Sequence, residues 1–446
     1  MNLCVAMMVV WCIFFNLQGW NFLCNFVGDI MIQYKKFKLS NVLTLIVHED
    51  HDTPLATVNI LYNVGSRNEN PERTGFAHLF EHLMFGGTDA VPDYDSVVNG
   101  MGGECNAYTT SDYTIYYLTV PACGLEKALW LEADRMRLLG FSSKSLAVQQ
   151  KVVTEEYNQR YMNRPYGDVW MLLKENCYSV HPYRWSTIGK DIKHVQEATL
   201  EDVKDFFFKY YRPNNAIMAV AGDVETERVV EMVERYFGDI TKGEQDSRIV
   251  ELPAEPDPKG PKLVEVRRDV PQDVVYMVFL MGNRFQREYY VANLLSDVLS
   301  NGKSSRMYNE LVKGKGLFSE VDAVITGEVD RGMFVVSGKL NEGVSVEDAE
   351  HALRGELDRV MAEGVTEYEL RKVKNNFENT FVYSQYKAAE RAANLCYYEW
   401  LGHIEWVNEE PKMNEDITCE EMREVAKNLF DAQRCVRLRY LKKGKE

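Results

Sequence analysis

Residues 57–62 and 114–120 largely alternate apolar with polar positions, and residues 276–281 form a short continuous apolar run; all three read as strands. Between these runs the period lengthens to that of amphipathic helices. Residues 345–363 and 366–383 are the longest examples, and the second opens with a Thr366-x-x-Glu369 capping box. A further strand is predicted over residues 32–47. The interleaving predicts an α+β fold of helices packed on a mainly antiparallel sheet.

Both periodicities stop at ELPAEPDPKGP, residues 251–261, which holds four of the 13 prolines. Such a stretch cannot continue a helix or a central strand, so it reads as a linker. It separates a first domain, 31–245, from a second, 263–446, with 246–262 between them. The two look like repeats. TLEDVKDFFFKYY at 199–211 and TCEEMREVAKNLF at 418–430 each start with a Thr-x-x-acidic box. Each then runs into a polar turn and an apolar strand, at 216–220 and 435–441. AHLFEHLM at 77–84 matches ANLLSDVL at 292–299 at nearly the same spacing.

Composition narrows the function. Apolar residues make up 46% of the 446 and charged residues 26%, the profile of a core-forming protein. The formal net charge of −16 argues against a nucleic-acid partner, because phosphates would be repelled. Nine cysteines with no CxxC pair exclude a cysteine zinc cluster and suit a reducing, cytoplasmic compartment. Residues 1–24 are apolar but lack Lys and Arg, so they make a poor signal peptide. They are read either as an anchor, which would give a periplasmic or membrane-associated protein, or, with the rest of 1–30, as an extension upstream of a start at Met31.

The chemistry concentrates at His78-Leu79-Phe80-Glu81-His82. Histidines four apart on a helix project from one face, so two imidazole nitrogens can reach one Zn²⁺. Glu81 lies beside them. Neutral imidazoles leave the ion its charge, zinc lowers the pKa of a water to about 7, and a carboxylate base completes its activation. A third ligand is expected on the helix of residues 146–161, where Glu155 and Glu156 sit mid-helix. Gln149, Val153 and Glu156 share one face, and spacing alone does not choose between the two glutamates.

Together these residues resemble the pitrilysin or insulinase family of inverted-motif zinc peptidases, over nearly the whole chain from residue 31. Gly102-Gly103 with Asn106, Ala107 and Thr109, and His181-Pro182-Tyr183 with Gly189, resemble two further family stretches. The resemblance implies a clamshell half of two homologous domains. It implies one Zn²⁺ held by His78, His82 and Glu156, with Glu81 as general base. Gln149 stands where the family has a glutamate behind the ligands. Gly103, Asn106, Ala107 and Thr109 mark an edge strand to which a peptide substrate would add. The repeat puts Asn293, Ser296 and Asp297 where His78, Glu81 and His82 stand, so one metal site is expected.

The family also uses an arginine and a downstream tyrosine to grip the substrate carbonyl, and in register these fall on Val312 and Ser319. The expectation is therefore a zinc endopeptidase paired with a related chain. The preferred pairing is a heterodimer with a partner that keeps the Arg/Tyr pair; the other is a homodimer using Lys313 or Lys315 as the cation. Rival readings are a non-catalytic, core-protein-like subunit of a larger complex and a zinc amidase for small molecules.

Overall fold

The structure is a computed structural model that describes residues 31–243 and 252–444. The apolar stretch 1–30 and the first part of the Pro-rich segment lie outside the described residues. None of the described helices is long and apolar enough to cross a membrane.

Among the described residues, eleven strands form two sheets. The first contains β1 (Lys35–Lys38), β2 (Thr44–Glu49), β3 (Leu55–Tyr62), β4 (Glu104–Thr109), β5 (Thr114–Pro121) and β6 (Ala216–Gly222), in the order β1-β2-β6-β3-β5-β4. The second contains β7 (Lys262–Arg268), β8 (Val274–Leu280), β9 (Phe318–Ile325), β10 (Met333–Leu340) and β11 (Val436–Lys442), in the order β7-β11-β8-β10-β9. Without β1 the two orders are the same. Each sheet also contains one parallel pair, β2–β6 and β7–β11, among antiparallel neighbours. The duplication read from the sequence is thus repeated in the topology.

The strand predicted over 32–47 is instead a hairpin. Leu39 N–H donates to the Leu43 carbonyl, and Val42 takes a positive φ of 76° at the reversal. Asn41 anchors the turn by donating to the carbonyls of Phe237 and Ile240. A polar Ser-Asn pair inside an apolar run was the local signal for this reversal.

One face of the first sheet packs on α1 (Phe76–Leu83), α2 (Leu125–Arg137), α3 (Ser143–Tyr157), α5 (Leu200–Tyr210) and α6 (Thr226–Phe237). One face of the second packs on α7 (Arg287–Ser300), α8 (Val346–Glu363), α9 (Glu367–Tyr383) and α11 (Cys419–Leu429). Two further helices are exchanged. From the first half, α4 (Val169–Cys177) lays Val169, Leu173 and Cys177 on Val278, Val335 and Leu438 of the second sheet. From the second half, α10 (Ala388–Trp400) lays Ala392, Leu395 and Cys396 on Ile46, Leu61, Ile115 and Ala219 of the first. Fully burying each large aliphatic side chain is worth about 1.5–3 kcal/mol, so the exchange binds the halves into one body.

The described part of the Pro-rich segment is docked rather than free. The Glu255 carboxylate is buried and accepts hydrogen bonds from Ser179 N, Ser179 Oγ, Val180 N and His181 N, at 2.6–3.0 Å.

Candidate metal centre

Helix α1 begins under tight constraint. Gly75 caps it at φ 89°, a conformation that disfavours any residue with a Cβ, and an added Cβ would sit 2.7 Å from the Ile188 carbonyl oxygen. The first-turn amides have no partner inside the helix. Glu69 supplies it: its two carboxylate oxygens accept from Gly75 N and Ala77 N, both at 2.9 Å. Burial pushes the Glu69 carboxyl up to about 8, against those amides, which favour the anion. The 181–189 stretch braces the same corner. Trp185 Nε1 donates to the Ser66 carbonyl, Tyr183 Oη donates to Asp112 at 2.5 Å, and the Lys190 amide donates to Thr74 Oγ1.

From that start, α1 buries Phe76, Leu79, Phe80 and Leu83 in the core and turns His78 and His82 towards α3 and Glu81 towards β4. The imidazoles of His78 and His82 lie edge to face, 4.9 Å between centroids. Their Nε2 atoms are 3.7 and 3.1 Å from one oxygen of Glu156, and His82 donates across the shorter gap. The ligating atoms of all three residues lie within 4.8 Å of one another. Three ligands about 2.0–2.1 Å from a tetrahedral zinc stand about 3.3 Å apart, so the cluster fits the ion. Burial pushes the His78 imidazole down to about 4, which keeps it neutral at pH 7, the form that binds metal. The hydrogen bond from His82 holds the Glu156 carboxyl below its usual range.

The structure separates the two glutamates that spacing left open. Glu156 is on the histidine side of α3, and Glu155 is exposed. Glu81 stands beside the cluster without joining it. Its Oε2 accepts from Thr109 Oγ1 at 2.6 Å, and burial raises its carboxyl above the ordinary value while that bond opposes the rise. Gln149 is half-buried on α3 and makes no side-chain hydrogen bond among the described residues.

Gly103, Asn106, Ala107 and Thr109 fall on or immediately before β4, which pairs only with β5 and is the edge of the sheet. A Cβ on Gly103 would meet Val120 Cγ1 at 2.9 Å and the Thr119 carbonyl oxygen at 3.1 Å, so a larger residue there would force its neighbours to shift. Asn106 Oδ1 accepts from the Ala107 amide. Thr109, expected to contact substrate, spends its hydroxyl on Glu81.

Sequence reasoning missed two neighbours. Arg160 Nη1 sits 2.8 Å from Glu156 Oε1, the oxygen turned away from the histidines. Its place one turn after the ligand could have flagged it. Glu69 had no such signal, because it reaches α1 across a loop.

Residues 44–191 match the sequence model of the family described as Insulinase (Peptidase family M16), and residues 197–377 match the one described as Peptidase M16 inactive domain. The chain belongs to the insulinase, or M16, peptidase family. A relative named zinc protease PqqE, from Helicobacter pylori, is 28% identical over 402 residues, covering 89% of this chain and 90% of its own length. The crystal structure of a protease from Helicobacter pylori superposes with a TM-score of 0.86 at 27% identity, covering 92% of this chain and all of that one. Pitrilysin shares the fold, with a TM-score of 0.76 at 18% identity. This chain spans 45% of that structure, so it has the M16 clamshell-half architecture. The model with the inactive-domain description covers the part of the chain that contains Asn293, Ser296 and Asp297. Among the described residues, the one group of three His, Cys, Asp or Glu side chains placed to hold a metal is His78, His82 and Glu156.

Proposed function

We propose that the chain is a zinc-dependent endopeptidase that hydrolyses peptides or unfolded segments, with His78, His82 and Glu156 as ligands and Glu81 as general base. The observation that carries this reading is the convergence of three ligand atoms at zinc-compatible separations beside a fourth, unligated carboxylate. A zinc ion held there supplies a Lewis acid that polarises the scissile carbonyl and acidifies the attacking water. Glu81 takes the proton from that water and passes it to the leaving amine. Its partial burial raises its basicity towards neutrality, and Thr109 fixes its rotamer. The β4 edge holds the peptide in extended form by main-chain pairing. A docking strand that uses the Ala107 amide would displace Asn106 Oδ1 from it. The six described cysteines are all unpaired, in keeping with a cytoplasmic setting.

The active species in this reading is a dimer with a related chain that carries the Arg/Tyr pair. Val312 packs on the second core, and Ser319 Oγ donates to the Lys339 carbonyl. Neither offers a cation or a free donor to an oxyanion, and loss of one such donor typically costs about 10²–10³ in rate. The test is to measure zinc content and cleavage of an unstructured peptide for the chain alone and after mixing with the partner. Weak basal cleavage that rises about tenfold or more on mixing supports the heterodimer. Full activity of the chain alone refutes it. A chain that purifies without stoichiometric zinc supports the non-catalytic subunit instead.

A further inference from the structure

The face of the first sheet opposite α1 is covered by α10, but the cover stops short of the sheet edge. It leaves a cavity of about 940 Å³ between the sheet and residues 384–394. The cavity runs from Thr57 on β3, beneath Tyr117 and Thr119 on β5, to Glu104 and Tyr108 on β4. Register and pleat explain the lining. Glu104 pairs with Thr119 and Asn106 with Tyr117, so these side chains share a face, whereas Cys105, Ala107 and Thr109 point to the α1 side. A peptide paired with β4, as proposed above, therefore sends every second side chain to the cavity side. The strand spacing of about 4.8 Å puts its backbone one strand beyond the wall, so only a long side chain reaches in.

The chemistry of the walls selects among long side chains. Tyr108, Tyr117 and Tyr386 present rings, and Tyr386 is 80% exposed, the highest value for a large apolar residue of the described chain. Of the acidic residues, Asp50 is matched by Arg391. Asp52, Glu104 and Glu390 face the single remaining cation, Lys387, and Glu104 makes no side-chain hydrogen bond or ion pair among the described residues. Aromatic faces and an unmatched carboxylate around a cavity favour a desolvated ammonium or guanidinium. We infer that this cavity is a subsite for Lys or Arg side chains of the bound peptide. It is built from both halves of the chain and reached across the β4 edge, and the inference rests on the docking mode proposed above.

The experiment uses the full chain bearing Glu81→Gln, so that binding is read without turnover. Fluorescence anisotropy is measured with labelled unstructured peptides in which every second residue is Lys, Gln or Glu. The Lys peptide is expected to bind at least about tenfold tighter than the Gln peptide. Glu104→Lys should remove most of that difference, and Tyr386→Ala, from the other half, should reduce it by about twofold to fivefold. With a formal net charge of −16, the chain attracts any basic peptide weakly. Glu342→Lys, an equal charge change at an exposed turn of the second half, controls for this and should leave the ratio intact. A Lys:Gln ratio within about threefold, or an equal loss with Glu342→Lys, overturns the subsite. Cleavage of the same peptides by the zinc-loaded wild type separates the two readings. Selective binding without cleavage sinks the peptidase and keeps the subsite; cleavage of all three peptides at equal kcat/KM does the reverse.

Discussion

Helices α1 and α3 of the first half correspond to α7 and α9 of the second, and both pairs make a polar contact at the same place. In the first half His82 meets Glu156; in the second Asp297 meets Asn376, at 3.2 Å. Ser296, at the position of Glu81, turns its hydroxyl back to the carbonyl of Asn293, at the position of His78. Thus one backbone geometry carries two imidazoles and two carboxylates, the proposed ligands and base, in one half, and amide, hydroxyl and carboxylate groups in the other. The apolar positions of α7 keep their pattern: Ala292, Leu294, Leu295, Val298 and Leu299 are buried like Ala77, Leu79, Phe80 and Leu83. Packing fixes the scaffold, while the positions facing the cleft are free to change because the core does not depend on them.

The sharpest break in the comparison is at the base. Glu81→Gln should lower kcat/KM by about 10²–10⁴-fold while zinc stays stoichiometric, because the role proposed for Glu81 is to move protons and not to ligate. Steady-state kinetics beside metal analysis checks both halves of that statement. Next, Glu156→Gln should weaken zinc binding by more than about 100-fold, beyond what outer-shell losses cost, and Glu155→Gln should leave it unchanged. Competition with a chelator reads this, and the reverse ranking would mean that the ligand is Glu155.

These predictions depend on what the residue pattern could and could not reveal. The strands at 57–62 and 114–120 and the helices capped by Ser345 and Thr366 were legible, because alternation, 3.6-residue periodicity and side-chain caps are local. Thr199 and Asp202 form the full box expected of them. Thr418 caps α11, but Glu421 does not return the bond, since Arg287 holds its carboxylate. That is a long-range competitor no local pattern records. The exchange of α4 and α10 was equally hidden, because an amphipathic helix encodes its apolar face and not which sheet will cover it. At the candidate site, the His-x-x-Glu-His spacing and two mid-helix glutamates were visible. The geometry that turns Glu156 inward and Glu155 outward, and brings Thr109 to Glu81, depends on packing between elements.

The comparison can also be pushed in the other direction. Asn293→His, Asp297→His and Asn376→Glu together place the first half's ligand types on the second half's helices. The triple variant is expected to bind two zinc ions per chain by titration, where the wild type binds one. A stoichiometry still at one would mean that α7 and α9 are not spaced as α1 and α3 are. The smallest expected effect is at Arg160, which has no counterpart at the Asp297–Asn376 contact. Arg160→Gln should lower zinc affinity by about tenfold, with the melting temperature of the zinc-free chain unmoved. Arg160→Lys should recover part of the loss. A fall in zinc-free stability instead would make Arg160 an ordinary surface ion pair.

The central claim is that the first half holds one zinc through His78, His82 and Glu156, with Glu81 beside the ion. A crystal structure of the zinc-loaded chain, with an anomalous difference map at the zinc edge, tests it most directly. The account predicts one peak per chain, about 2.0–2.2 Å from His78 Nε2, His82 Nε2 and a Glu156 oxygen, with Glu81 outside bonding distance. No peak at that position, or a peak ligated by Glu81 or Glu155, would contradict it.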